Sequence, residues 1–369
     1  MNGHKSIIDY GYLSDSEFNL RCNAALGWII KSLNHNGGNG SSAYYSNLYP
    51  PFGWSKAYPE TTGYLIPTLI DYDELYPELK LLDKSIKCGD WICSLAFKNG
   101  ALPGGLEGSK NESIFNTGQM LIGLNSIYSL TKDVKYFKII DSAVNWLCQS
   151  LEENGSWKNH AYIEGYIPSY YTRVVWPVLV SNKFIKSDEI TLLMRKALKF
   201  YEKKINKNLS ITDWGFKKGE KAFTHTIAYT LRGFFESSVI LENDDLLNKT
   251  IDICEKLLKI SAFRGRLAGR YSNTWEGDYN FVCLTGNAQL SILFTKIFSI
   301  NNDVRFLNAA LFYMEPVLKA QVLKNNYKYG AISGSSPFYG RYLTLRYPNW
   351  ATKFFLDAYL ILKKHIGKL

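Results

Sequence analysis

The sequence predicts one all-α domain over residues 1–369, an (α/α)6 toroid of six inner and six outer helices with long loops at one face. Three observations carry this: a sixfold repeat of apolar segments, an alternation of two helix types, and a marked asymmetry of loop length.

The repeat comprises ETTGYLIPTLIDY from Glu60, FNTGQMLIGLNSIY from Phe115, YYTRVVWPVLV from Tyr170, FTHTIAYTLRGFF from Phe223, CLTGNAQLSILF from Cys283 and YPNWATKFFLDAYLIL from Tyr347. Aligned on Gly63, Gly118, Val174, Ile227, Gly286 and Ala351, the segments recur at 55, 56, 53, 59 and 65 residues. So steady a period argues for one architecture rather than two unrelated domains. Each segment places a Thr, Asn or Gly, read as a helix cap, before a mostly apolar run.

Between these segments lie six amphipathic patterns. Phe18, Cys22, Ala25 and Ile29 are spaced four, three and four residues apart, and Leu82, Ile86, Gly89 and Cys93 repeat the rhythm. The same stripe recurs from Phe137 to Leu151, Ile190 to Phe200, Leu247 to Leu258 and Leu307 to Val317. A one-sided stripe marks a helix with one wet face, and an all-apolar helix belongs inside. Polar caps precede four of the amphipathic helices, at Lys132-Asp133, Ser187-Asp188, Asn243-Asp244 and Asn302-Asp303. An open solenoid satisfies the same local pattern. Six repeats with shared inner-helix chemistry favour closure into a ring.

Links from inner to outer helices are short, as at Ser129 to Asp133. Links from outer to inner helices run to about twenty residues or more, long enough in a compact repeat protein to be functional. They meet at the face where the inner helices begin, and helix N-termini carry partial positive charge and free N–H groups. A deep cleft suited to anions is expected there.

Composition narrows the function. The formal charge is +10, with lysines spread through the helices rather than set in a stripe, which speaks against nucleic acid and for a basic surface or an anionic substrate. No uncharged apolar run is long enough for a membrane span. The N-terminal MNGHKSIIDYGYLSDSEF lacks the apolar core of a secretory leader, so a cytoplasmic location is expected, or a periplasmic one if a leader has been removed. Six scattered cysteines form no disulfide framework and no CxxC, so neither a metal nor another cofactor is expected. Aromatic residues make up 15% of the chain, and aromatic faces stack on sugar rings, so the expected ligand is an oligo- or polysaccharide.

The loops supply the candidate residues. Trp54, Trp157, Trp214 and Trp275 recur in four repeats and serve either loop packing or sugar stacking. Glu60 opens the first inner segment as a dipole partner or a catalytic acid. Asn116 and Asn287 stand at matching helix starts as caps or ligand contacts. Gln119 and Gln289 lie in apolar helices, where an unpaired amide is costly, so a ligand-facing role gains weight. Arg173 in YYTRVVWP needs an anion, from the protein or from a substrate. His225 in FTHTIAY shares a helical face with Tyr229. Glu276 and Asp278 in TWEGDY form a carboxylate pair, either as acid and base or as partners of Arg270 or Arg173. Tyr339, Arg341, Tyr342 and Arg346 form a cluster before the last inner helix.

The alternation of FNTGQ-like and LTGNAQL-like inner helices resembles the broad toroid superfamily. That group holds squalene-cyclase-type prenyl enzymes, lanthionine cyclases, sugar 2-epimerases, the helical domain of glucuronyl C5-epimerases, and many polysaccharide lyases and hydrolases. The nearest likeness is to prenyltransferase-repeat-like toroid proteins associated with bacterial surface polysaccharides. The sequence departs from several members. It has no DxDD or DDxxD cluster, no QxxxGxW repeat and no Cys/His zinc set.

Three readings follow. The first is a polysaccharide lyase or related uronate C5 enzyme, C5-epimerase included. Arg173, with Asn116 or Gln289, neutralises the sugar carboxylate; His225 is the base; Tyr229 or Tyr171 is the acid. The second is a glycoside hydrolase using Glu60 with Glu276 or Asp278. The third is a non-catalytic glycan-binding protein.

Overall fold

A helix apolar on every side has no face to give to water, and six such helices line the axis of this protein. The computed structural model describes residues 10–46, 48, 50 and 52–366. The inner helices are α2 (Pro59–Asp73), α4 (Ile114–Thr131), α6 (Thr172–Ile185), α8 (Thr224–Ile240), α10 (Leu284–Asn301) and α12 (Asn349–Ile366). The outer helices are α1 (Asp15–His35), α3 (Leu81–Ser94), α5 (Val134–Gln149), α7 (Asp188–Glu202), α9 (Asp244–Arg264) and α11 (Val304–Ala320). Each inner helix touches the next, and α12 returns to α2, so the ring is closed rather than an open solenoid. Among the described residues no helix is long and apolar enough to cross a membrane. The first nine residues of the N-terminal segment read for location lie outside the described residues.

The repeat glycines mark where inner helices meet backbone to backbone. A Cβ on Gly63 would stand 2.5 Å from Met120 Cα, and one on Gly286 would stand 2.6 Å from the Thr224 carbonyl carbon. Neither separation is tolerable, so these positions need hydrogen as a side chain.

Asn349 seals the junction between the ends of the chain. Its amide nitrogen donates to Ser41 Oγ at 3.0 Å and to the Ser42 carbonyl at 2.7 Å, and its Oδ1 accepts from Trp28 Nε1 at 2.9 Å. A buried amide with its partners satisfied costs little and fixes the register of α1 against α12.

Two sequence expectations are corrected. The Thr, Asn and Gly residues of the repeat do not cap the inner helices, which begin earlier in each segment. Tyr58, Tyr171, Phe223 and Cys283 occupy N-cap positions without side-chain bonds, and Ser113 caps α4. In α3 the buried face runs through Leu81, Ser85, Cys88 and Ile92, and in α9 through Leu246, Thr250, Ile253 and Leu257, one residue ahead of the predicted stripes, of which Gly89 and Cys254 are buried as expected. Leu247, Ile251 and Leu258 form the partly buried shoulder of α9, because the apolar arc is two rows wide. The four polar caps of outer helices stand as expected, at Asp133, Ser187, Asn243 and Asp303.

Short strands stitch the long loops together. β1 (Tyr44–Ser46), β2 (Gly53–Trp54) and β8 (Tyr347–Pro348) join the first loop to the last. β3 (Ala222–Phe223), β4 (Arg270–Tyr271) and β5 (Gly277–Asp278) join the fourth and fifth loops, and β6 (Val282–Cys283) pairs with β7 (Ser335–Ser336) of the sixth.

Candidate functional site

The first turns of the inner helices converge on the axis beneath these loops. Pro59 opens α2 with its φ pre-set for a helix, and Glu60 follows inside the first turn. Tyr58 donates its hydroxyl to the Glu60 carboxylate in a short hydrogen bond. Burial raises the Glu60 pKa; the Tyr58 bond and the charge of Arg173 pull it back only in part, so it stands at about 7. Glu60 is buried.

Arg173, in the first turn of α6, is 3% exposed and has no carboxylate at ion-pairing distance among the described residues. Its Nε donates to Gln119 Oε1 at 2.7 Å, and its guanidinium lies 4.4 Å from the Tyr229 ring centroid. Burial and the nearby Arg232 lower its pKa, yet a guanidinium remains a cation in water-accessible pH ranges. A buried cation without a counter-ion is costly, and a bound anion offsets that cost.

His225 and Tyr229 sit one turn apart on α8 with ring centroids 4.2 Å apart. Gln289 Nε2 lies 2.7 Å from His225 Nδ1 and 3.3 Å from the Thr285 carbonyl. The carbonyl accepts only, so the amide nitrogen is the donor to both, and the imidazole proton resides on Nε2. Burial, then Arg173, depresses the His225 pKa to about 3. The ring is neutral at physiological pH and its one lone pair is engaged.

The sequence-predicted residues divide accordingly. The structure brings together Glu60, Asn116, Gln119, Arg173, His225, Tyr229 and Gln289. Asn116 accepts from the capping Ser113 hydroxyl at 3.3 Å and keeps an unpartnered amide nitrogen. The Gln289 Oε1 and Tyr229 hydroxyl oxygens are likewise buried without hydrogen bonds. Both glutamines contact a neighbouring side chain, not open space.

The others go elsewhere. Asn287 is spent on the Cys283 carbonyl at 3.0 Å. Tyr171 turns toward the outer layer against Trp157. Trp157 and Trp214 are fully buried and offer no free ring face; Trp157 donates to the Leu147 carbonyl at 2.9 Å. Trp275 packs edge-on to Trp214 and donates to the Asn208 carbonyl, and Trp54 packs on Trp28. As a shared stacking platform the tryptophans are corrected to loop anchors. Glu276 is 73% exposed and pairs with Lys221, while Asp278 is held by Arg270 at 3.0 Å. Neither acts on Glu60, so the expected carboxylate pair is not assembled. Tyr339 and Arg341 lie exposed on the rim.

Phe216, Phe223, Phe281 and Tyr342 form one aromatic cluster at the loop face, with the Tyr342 ring 5.1 Å from His225. A cavity of about 360 Å³ enters from the opposite face and reaches Arg173 and Tyr64. Sequence reasoning missed Tyr58 and Tyr64, whereas Tyr342 belongs to the cluster expected before the last inner helix. Also passed over were the charges of the inner helices, Arg232 and Glu236 in TLRGFFESS and Lys353 and Asp357 in ATKFFLDAY. Their signal is plain in retrospect: ion pairs at i,i+4 within helices that are otherwise apolar.

Fold and site together define an (α/α)6-toroid protein with a buried polar cluster at the axis. No family model and no curated relative matches the sequence. Solved structures share the fold at low identity. An unsaturated glucuronyl hydrolase specific for heparin is similar with a TM-score of 0.76 at 12% identity, over 96% of this chain and 99% of that one. The unsaturated glucuronyl hydrolase of a Bacillus species gives 0.74 at 14%, over 95% and 97%. Cellobiose 2-epimerase from Bacillus thermoamylovorans gives 0.73 at 11%, over 96% and 100%.

Proposed function

We propose that the chain is a carbohydrate-active enzyme for an anionic, uronate-containing glycan, in which Arg173 holds the sugar carboxylate and Glu60 moves the proton. The observation that carries this is Arg173 itself, a buried cation without a carboxylate partner, beside a carboxyl group with a pKa of about 7. Two of the similar structures are unsaturated glucuronyl hydrolases, and this supports a uronate substrate class.

The reaction favoured is elimination at the uronate. Arg173 neutralises the carboxylate and so acidifies the C5 hydrogen. Ionised Glu60 takes that proton, the C4–C5 double bond forms, and the C4–O bond breaks. Tyr58, kept protonated by burial, gives its proton to the leaving oxygen and recovers one from Glu60 through their hydrogen bond. His225 is a neutral positioning residue in this scheme and not the base expected from sequence.

Glycoside hydrolysis is the second reading, because a carboxyl group of pKa about 7 is also poised to protonate a glycosidic oxygen. The test is incubation with acidic and neutral bacterial polysaccharides, following ultraviolet absorbance and reducing ends together. Absorbance from an unsaturated uronate is expected on acidic polymers only. Reducing ends without absorbance replace elimination by hydrolysis, and turnover of neutral polymers alone overturns the uronate assignment.

A further inference from the structure

The cavity that enters from the face opposite the long loops is a second feature of the axis and shares Arg173 with the Glu60 cluster. Its volume, about 360 Å³, lies at the low end of the roughly 300–1,000 Å³ of small-molecule sites, which suits one sugar-sized ligand and not a polymer. Five cationic side chains line it, Arg173, Arg232, Lys296, Lys353 and Lys364. Only two carboxylates do so, Asp71 and Asp357.

Of the carboxylates near these cations, Asp357 and Glu236 are already committed, and Asp71 stands near Lys353 and Lys364 without an ion pair among the described residues. Lys353 pairs with Asp357, which also accepts from Thr68 Oγ1 at 2.6 Å. Glu236, just behind the wall, serves both Arg232 at 2.5 Å and Lys296 at 2.8 Å. Arg173 has none. Arg173 and Arg232 also flank the same indole, their guanidinium carbons 5.5 and 5.2 Å from the Trp176 ring. Two guanidiniums that share one ring in a largely buried lumen repel each other, and an anion bound within reach of both offsets that cost.

We infer that this lower cavity is a binding site for a small oxyanion, inorganic or carried on a single sugar ring, gripped by Arg173, Arg232 and Lys296. Trp176, Tyr64 and Phe354 supply flat apolar surface beside the charges, as sugar recognition requires. Arg173 is then the partition between two anion sites, with Glu60 above it and the cavity below. The inference does not rest on the chemistry assigned to Glu60.

Calorimetric titration of the full chain at fixed ionic strength tests it, with inorganic sulfate in one series and glucuronate in another. Saturable binding is expected in at least one series, sulfate alone marking a free anion and glucuronate a sugar acid. Arg232→Gln should weaken it by roughly tenfold or more, the scale of one charge-assisted hydrogen bond. Ser126→Trp keeps every charge but fills the cavity that Ser126 lines, and should abolish binding in a folded protein. Absence of saturable binding in both series, or binding indifferent to both cavity variants, overturns the inference.

Discussion

Gln289 donates to His225 Nδ1 at 2.7 Å, and this contact sets the imidazole's role. With Nδ1 accepting and Nε2 protonated, the ring has no lone pair left to receive a substrate proton. His225→Gln should therefore retain turnover within about tenfold of the native chain, well short of the 10²–10⁴-fold that loss of a general base costs. Its pH–rate profile should keep the same inflection. A collapse of kcat in this variant would return the base role to His225.

Arg173→Gln should raise KM for a uronate substrate about tenfold or more, since a charge-assisted hydrogen bond is worth about 1.5–3 kcal/mol. The same variant should match the native chain on the methyl-esterified substrate, where no carboxylate is present. An equal loss on both substrates would make Arg173 a packing residue.

Stability should depend on pH through Glu60 in an unusual direction. Its pKa rises from 4.5 to about 7 on folding, chiefly because burial penalises the anion. Between those values the folded chain binds more protons than the unfolded one, so stability falls as pH rises and the loss is complete above about pH 7. Glu60→Gln should raise the melting temperature at pH 8, by a free energy of up to about 3 kcal/mol. His225 acts oppositely. Its pKa falls from 6.5 to about 3 on folding, so stability is lost as pH drops through that window. The two effects cancel in part between pH 4.5 and 6.5, and thermal melts of the single variants separate them.

Gly63→Ala should destabilise the ring by about 1–3 kcal/mol or more, the cost of overpacking where the obstacle is backbone. The added methyl would meet Met120 Cα at 2.5 Å. Urea unfolding measures this directly, and a neutral result would mean that α2 and α4 can slide apart cheaply.

These glycines show how far the fold was legible in sequence. The period of the segments and the two helix types give the ring, because burial dictates composition at every inner position. The helix starts are not legible because the repeat glycines serve contacts between helices while Thr117 and Thr224 bond loop backbone, and a cap signal cannot be told from a contact signal along one chain. At the site, Glu60, Arg173, Gln119 and Gln289 were identifiable as polar residues in apolar helices. Their pairing was not, since Arg173 meets Gln119 and His225 meets Gln289 across 54 and 64 residues. The tryptophans misled because an aromatic residue in a long loop reads alike whether it faces a ligand or anchors the loop.

The most direct test of the central claim is turnover of an acidic polysaccharide by the native chain and by Glu60→Gln, followed as unsaturated uronate released. The rate is expected to climb as pH passes through about 7, with a 10²–10⁴-fold loss in the variant at every pH. A variant that keeps its rate, or a native profile flat from pH 6 to 8, would contradict that claim.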